Sequence, residues 1–133
     1  MEGIEKVYQF LNDAHNYCLA TVEGDQPRVR VFGTALLHKG KLYIQTGKAK
    51  DVSKQIAANP KVEICAFKGG KWLRIAGELV NDDNRDVKAA MLEKMPSLKG
   101  AYSADDDNMQ MLYFRSATAT FSSFTEAPET VRF

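Results

Sequence analysis

The chain has 133 residues, 44% of them hydrophobic and 26% charged, enough for one domain that buries roughly two thirds of its unfolded surface. A net charge of +1 supplies no global field for nucleic acid or acidic membrane. No apolar run exceeds four residues and the opening MEGIEKVYQF has no signal-peptide core, which points to the cytoplasm and away from a membrane span.

Ile4, Val7, Tyr8 and Leu11 recur at helical spacing, predicting a short amphipathic helix over 4–14. YCLATVE, 17–23, reads as a strand closed by a Gly24–Asp25 turn. RVRVFGTALLH, 28–38, alternates: Val29, Val31, Ala35 and Leu37 on one face, Arg28, Arg30, Phe32 and Thr34 on the other, with a bulge expected at Gly33. A Lys39–Gly40 turn leads into KLYIQT, 41–46, with Leu42, Ile44 and Thr46 on one face. The period then changes. Val52, Ile56 and Ala57 suit a helix over about 49–58, stopped by Asn59–Pro60.

KVEICAF, 61–67, and WLRIAGELV, 72–80, form a second hairpin around KGGK. A helix follows within DDNRDVKAAMLEKMP, with Val87, Ala90, Met91 and Met95 inward, and MLYFRSATATFSSF, 111–124, is a long closing strand. The order α-β-β-β-α-β-β-α-β predicts a single domain over 1–133. Its expected class is mostly β with helices (α+β), a six-stranded antiparallel, nearly closed β-barrel flanked by helices. Cys18 and Cys65 fall inside strand-like runs and are expected as buried small hydrophobes rather than a disulfide or metal pair.

The average charge hides an asymmetry. Between Gln26 and Lys50 stand six basic residues (Arg28, Arg30, Lys39, Lys41, Lys48, Lys50) and no acidic one. Lys48 and Lys50 flank a strand-to-helix junction, where free N–H groups and the positive dipole end favour an anion. The Thr46 hydroxyl and the Arg28/Arg30 face, expected to lie beside strand 41–46, would complete a phosphate grip. Taken alone, the lysines read as a plain solvated turn; only with the arginines and the acid-free stretch do the two readings balance. The segment is not a P-loop, since Leu42 stands where the first glycine belongs and Ala49 follows Lys48. Trp72 and Arg74 share a strand face, either as a platform for a flat ligand or as an interface aromatic and its neighbour.

Through PRVRVFG (27–33), KLYIQTGKAKDVSKQIAANPKVEICAF (41–67), WLRIAGELV (72–80) and YFRSATATF, the chain resembles the pyridoxamine 5'-phosphate oxidase-like, FMN-binding split-barrel family. The resemblance implies a split barrel holding FMN, with Arg28 at the phosphate and Val29 to Val31, including Arg30, beside the isoalloxazine. It also implies Gln45 and Thr46 at the end of the next strand and Lys48 and Lys50 as the basic pair before the helix. It further implies a homodimer with sites between subunits, Trp72 and Arg74 being offered to the partner chain's flavin. Gln45 replaces the oxidase's usual tyrosine, the loop from Thr46 to Lys50 is shorter, and EAPETVRF has no counterpart to the oxidase's substrate-binding tail. These departures place the chain nearer the small flavin-binding relatives, whose acceptors include quinones, nitro compounds and other flavins.

The expected function is an FMN-dependent oxidoreductase acting with a small-molecule electron donor or acceptor. The alternatives are a non-catalytic flavin carrier or storage protein, and a haem-binding barrel. No residue set for nucleophilic catalysis or metal binding is present: His15 and His38 lack partners at ligand spacing, and DDD, 105–107, lacks the glycine and distal glutamate of a calcium loop. In flavin chemistry that absence is expected, because the cofactor carries the reaction.

Overall fold

The computed structural model describes residues 2–133. Helix α1 (Gly3–Ala14) precedes strands β1 (Tyr17–Glu23), β2 (Gln26–Phe32), β3 (Leu36–His38) and β4 (Lys41–Gly47). Helix α2 (Asp51–Ala58), strands β5 (Lys61–Lys68) and β6 (Lys71–Asn81), and helix α3 (Arg85–Lys94) follow. A 3-10 turn over Pro96–Gly100 then leads to β7 (Met109–Ser123) and β8 (Glu129–Arg132). All strand pairs are antiparallel, in the order β2-β1-β5-β6-β7-β4-β3, with β8 added to β7. The α+β class is as expected.

Among the described residues eight strands stand where six were expected, for two reasons. The run 28–38 is not one strand with a bulge. It breaks at Gly33, so that β2 pairs with β1 while β3 crosses to β4 at the other end of the sheet. The Thr34 hydroxyl spans the crossing, accepting from the Gln45 amide at 2.9 Å, and the buried Tyr17 hydroxyl donates to the Thr34 carbonyl at 2.6 Å. The two end strands of the curled sheet, β2 and β3, are thus successive pieces of one chain, and the barrel stays split between the β2 edge and the β4–β3 edge. The second addition is β8, four residues whose partners are Thr118 to Phe121 of β7.

The strand phases follow burial. Leu19, Leu42, Ile44, Ile64, Leu73 and Ile75 are fully buried in the main core, which α1 seals with Val7 and Leu11. A second cluster lies under α3, where Val87, Met91 and Leu92 meet Tyr43, Met109 and Met111. β4 therefore has buried neighbours on both faces, Leu42 and Ile44 inside and Tyr43 outside. Helix α2 packs against both β1 and β4 and so closes the split.

Cys18 and Cys65 depart from expectation: both are exposed and free. Tyr17, Leu19 and Thr21 take the inner face of β1, which turns Cys18 and Ala20 outward. Among the described residues, no helix is long and apolar enough to cross a membrane.

Candidate functional site

The stretch Gly47 to Lys50 is held as a tight turn. The Lys50 amide donates to the Gly47 carbonyl at 3.0 Å, while Asn108 takes the Lys48 amide on its carbonyl at 2.7 Å and the Ala49 amide on Oδ1 at 3.0 Å. Gly47 permits this approach: a Cβ there would lie 2.9 Å from the Tyr102 hydroxyl and 3.0 Å from Asn108 Nδ2. Lys50 is the N-cap of α2 with extended backbone and no side-chain cap. Its carbonyl accepts from Ser53 and Lys54. The amides of Asp51 and Val52 have no acceptor among the described residues, leaving two donors at the positive end of the helix. Asn108→Ala is expected to cost about 1 kcal/mol in thermal stability by removing one buttress of this turn. Calorimetry checks this; an unchanged melting temperature would show that the turn holds itself.

Two walls of the split converge on α2. From β4, Thr46 points inward, 2% exposed, and its hydroxyl has no hydrogen-bond partner among the described residues. From β2, the Arg30 guanidinium reaches over β1 to the Leu19 carbonyl (3.1 Å), the Thr21 hydroxyl (2.8 Å) and Gln55 Oε1 (2.7 Å). All three are neutral acceptors. Arg30 thus has no carboxylate partner among the described residues, and burial, then the neighbouring Arg28, pulls its pKa below the usual arginine value. Gln55 also accepts from Thr21 at 2.5 Å, and Ser53 donates to Gln110 at 2.6 Å. These polar pairs along the inner side of α2, together with Asn108, escaped the sequence reading. Buried Ser53 and Gln55 in an otherwise amphipathic helix were the available signal.

The other candidates are placed as follows. Arg28 is exposed and paired with Glu23 at 2.9 Å. Val29 and Val31 face outward, 68% and 67% exposed. Gln45 is buried, its side-chain amide donating to the Thr46 carbonyl at 2.9 Å. Lys48 is paired with Asp83 at 3.0 Å, whereas exposed Lys50 has no carboxylate within 4.0 Å among the described residues. β2 does not lie beside β4, as the sequence suggested; Arg30 reaches the junction's helix only across β1. Trp72 stacks edge-on to Phe124, ring centroids 5.0 Å apart, and Arg74 is paired with Glu63 at 2.6 Å. The register puts Trp72 opposite Ser122 and Thr46 opposite Gln110, at the two ends of β7. Within one chain, Trp72 and Thr46 do not meet.

Comparison with known proteins fits this geometry to a family. The family model for pyridoxamine 5'-phosphate oxidase matches residues 4–125. The chain belongs to that family. This pyridoxamine 5'-phosphate oxidase-family chain is 44% identical to a NimC/NimA family protein from Clostridium acetobutylicum, covering 98% of this chain and 92% of that one, with a TM-score of 0.95. More distant structures share the split-barrel fold. A pyridoxamine 5'-phosphate oxidase-related, FMN-binding protein from Nostoc punctiforme is 15% identical over 98% of this chain and 95% of its own, TM-score 0.67. A haem-binding protein from Mycobacterium smegmatis is 13% identical over 92% of this chain and 57% of its own, TM-score 0.71. No curated protein matches the chain significantly.

Proposed function

We propose that this chain is an FMN-binding flavoprotein that passes electrons to a small flat acceptor, its FMN phosphate seated at the α2 N-terminus. The observation that carries the reading is a pair of cations without carboxylate partners among the described residues, Lys50 at the start of α2 and Arg30 of β2 bonded to Gln55 of that helix, whose first amides are free. Gln55, which anchors Arg30, lies five residues beyond Lys50, about 7.5 Å along the helix axis. A phosphate dianion fits that charge and those donors. The orphaned Thr46 hydroxyl supplies a further donor once the side chains covering it part.

The residues then have distinct tasks. Lys50 and the Asp51 and Val52 amides hold the phosphate, and Asn108 fixes the turn that presents them. Arg30 brings positive charge into the split without a carboxylate to cancel it. Bound FMN supplies a ring that accepts and passes on electrons or a hydride. The exposed Val29 and Val31 offer a smooth apolar edge to such a ring, and the acceptor class that suits it is a quinone, a nitro compound or another flavin. The test is a visible spectrum of the purified protein with FMN added. A colourless protein that leaves FMN fluorescence unquenched would remove the reading. A Soret band in its place would assign the barrel to haem, and FMN binding without turnover of quinone or nitro acceptors would assign it to a carrier.

The same reading takes the chain as a homodimer: Trp72 and Arg74 of β6 pair with β7 far from their own chain's Thr46, and the proposal gives them to a second copy's site. Trp72→Ala is expected to weaken FMN binding by about 1–2 kcal/mol through lost aromatic contact. Sedimentation as a monomer at micromolar concentration would remove the shared site.

A further inference from the structure

We propose that Gln55 is a positioning residue of the phosphate site: its neutral side-chain oxygen holds the Arg30 guanidinium against α2 without cancelling its charge. The assignment rests on the reading of the split as an FMN site.

Gln55 is 7% exposed, on the covered side of α2 with Val52 and Ile56. Its Oε1 accepts twice, from the Thr21 hydroxyl at 2.5 Å and from Arg30 Nη2 at 2.7 Å. Thr21, itself buried, accepts in turn from Arg30 Nη1 at 2.8 Å. Arg30 of β2, Thr21 of β1 and Gln55 of α2 therefore close a ring of three hydrogen bonds.

Chemistry fixes the direction of each bond. A guanidinium has five N–H donors and no acceptor, so both of its partners in the ring receive. The single Thr21 proton then goes to Gln55, whose oxygen uses both lone pairs. The Gln55 amide is locked in this orientation, because turned over it would point its own donors at the guanidinium.

The ring leaves one edge of Arg30 free. Nη1 spends its two hydrogens on Leu19 and Thr21, and Nη2 spends one on Gln55. Thr21 and Gln55 touch each other, so they take the edge between Nη1 and Nη2. The Nε hydrogen and the second Nη2 hydrogen have no acceptor among the described residues. That pair is the fork with which Arg85 holds both oxygens of Asp105, at 2.7 and 3.2 Å. It is also a fork that grips phosphate.

The charge is free as well. Arg28, Arg74, Arg85 and Arg115 are each paired with a carboxylate, whereas Arg30 is held by a carbonyl, a hydroxyl and an amide. A glutamate in place of Gln55 would accept the same two bonds and neutralise the cation. An amide of the same length fixes the guanidinium and leaves its charge to a ligand.

The test titrates FMN into the full-length wild-type protein, Gln55→Glu and Gln55→Met, following flavin fluorescence at graded salt, with thermal melts of the unloaded proteins. Gln55→Glu is expected to melt at or above wild type, since it keeps both bonds and gains an ion pair. Its FMN dissociation constant is expected to rise about tenfold, the order set by one charge roughly 7.5 Å away under partial screening, and to depend less on salt. Gln55→Met keeps the cation but releases the guanidinium; about a threefold loss of affinity is expected, with the salt dependence of wild type. A glutamine that only supported the fold would give the reverse order, Gln55→Glu binding as wild type and Gln55→Met losing affinity together with stability. Equal dissociation constants for Gln55→Glu and wild type would overturn the assignment and leave the FMN reading standing. Should Gln55→Glu not fold, wild-type affinity in Gln55→Met would overturn it too. Wild-type protein that leaves FMN fluorescence unquenched would remove both.

Discussion

Lys50→Ala is expected to weaken FMN binding by about 1–3 kcal/mol, roughly 5- to 150-fold in the dissociation constant, through loss of a charge-assisted bond to the phosphate. The size follows from where the charge stands. Lys50 caps α2 with its backbone, so substitution leaves the helix start intact, and among the described residues its side chain has no ion pair to lose. Any effect on affinity is then an effect on the ligand. Lys54→Ala is the matched control: it removes an exposed charge one turn further along the same helix. General electrostatic attraction would make the two variants equal and would fade together with salt, since exposed charges are screened beyond about 10 Å at 0.1 M. A contact at the phosphate makes Lys50→Ala much the larger effect. Equal dissociation constants for Lys50→Ala and wild type would return Lys50 to solvent.

The junction was legible in the sequence because it sits where hydrophobic periodicity switches from strand to helix, at Thr46 to Asp51, and neighbouring Gly and Lys residues mark the turn. Its electrostatics were not. The run from Gln26 to Lys50 contains no acid, yet Glu23 neutralises Arg28 from the adjoining strand and Asp83 neutralises Lys48 from beyond β6. Tertiary contacts from distant sequence decide which of the six cations are free, and composition within a window cannot report them. Asn108 was invisible for the same reason: a single polar residue in the loop before β7 gives no periodic signal.

Cys18 was misplaced for a different cause. In YCLATVE the inward set Tyr17, Leu19, Thr21 and the outward set Cys18, Ala20, Val22 are similarly apolar. Alternation without polar contrast cannot say which face is the core. The break at Gly33 was read as a bulge because both disturb a strand's pattern locally. Only the partner strands, β1 before and β4 after, distinguish them.

Asp83→Asn is expected to lower stability while tightening FMN binding, two effects of opposite sign from one ion-pair network. Asp83 takes Lys88 at 2.7 Å on Oδ1 and Lys48 at 3.0 Å on Oδ2. The Lys88 side chain is only 8% exposed, so neutralising its carboxylate leaves a covered ammonium without a counter-ion. For a fully buried pair that costs about 3–5 kcal/mol; Asp83 is itself half exposed, and solvent screening reduces the expectation to about 1–2 kcal/mol. Bonds from Lys88, then Lys48, hold the Asp83 carboxyl below its usual pKa. A depressed folded pKa contributes stability that is fully present above the unfolded value, about 3.9, and is lost as pH falls through the folded one. The wild-type advantage over Asp83→Asn in thermal melts should therefore be constant near neutrality and shrink below about pH 4. The same substitution releases Lys48 beside the free α2 amides and removes one negative charge from the junction. An exposed charge of this kind is worth about 0.5–1 kcal/mol to a bound phosphate, a two- to fivefold lower dissociation constant. A variant that lost flavin affinity along with stability would show that Asp83 supports the phosphate site instead of competing with it.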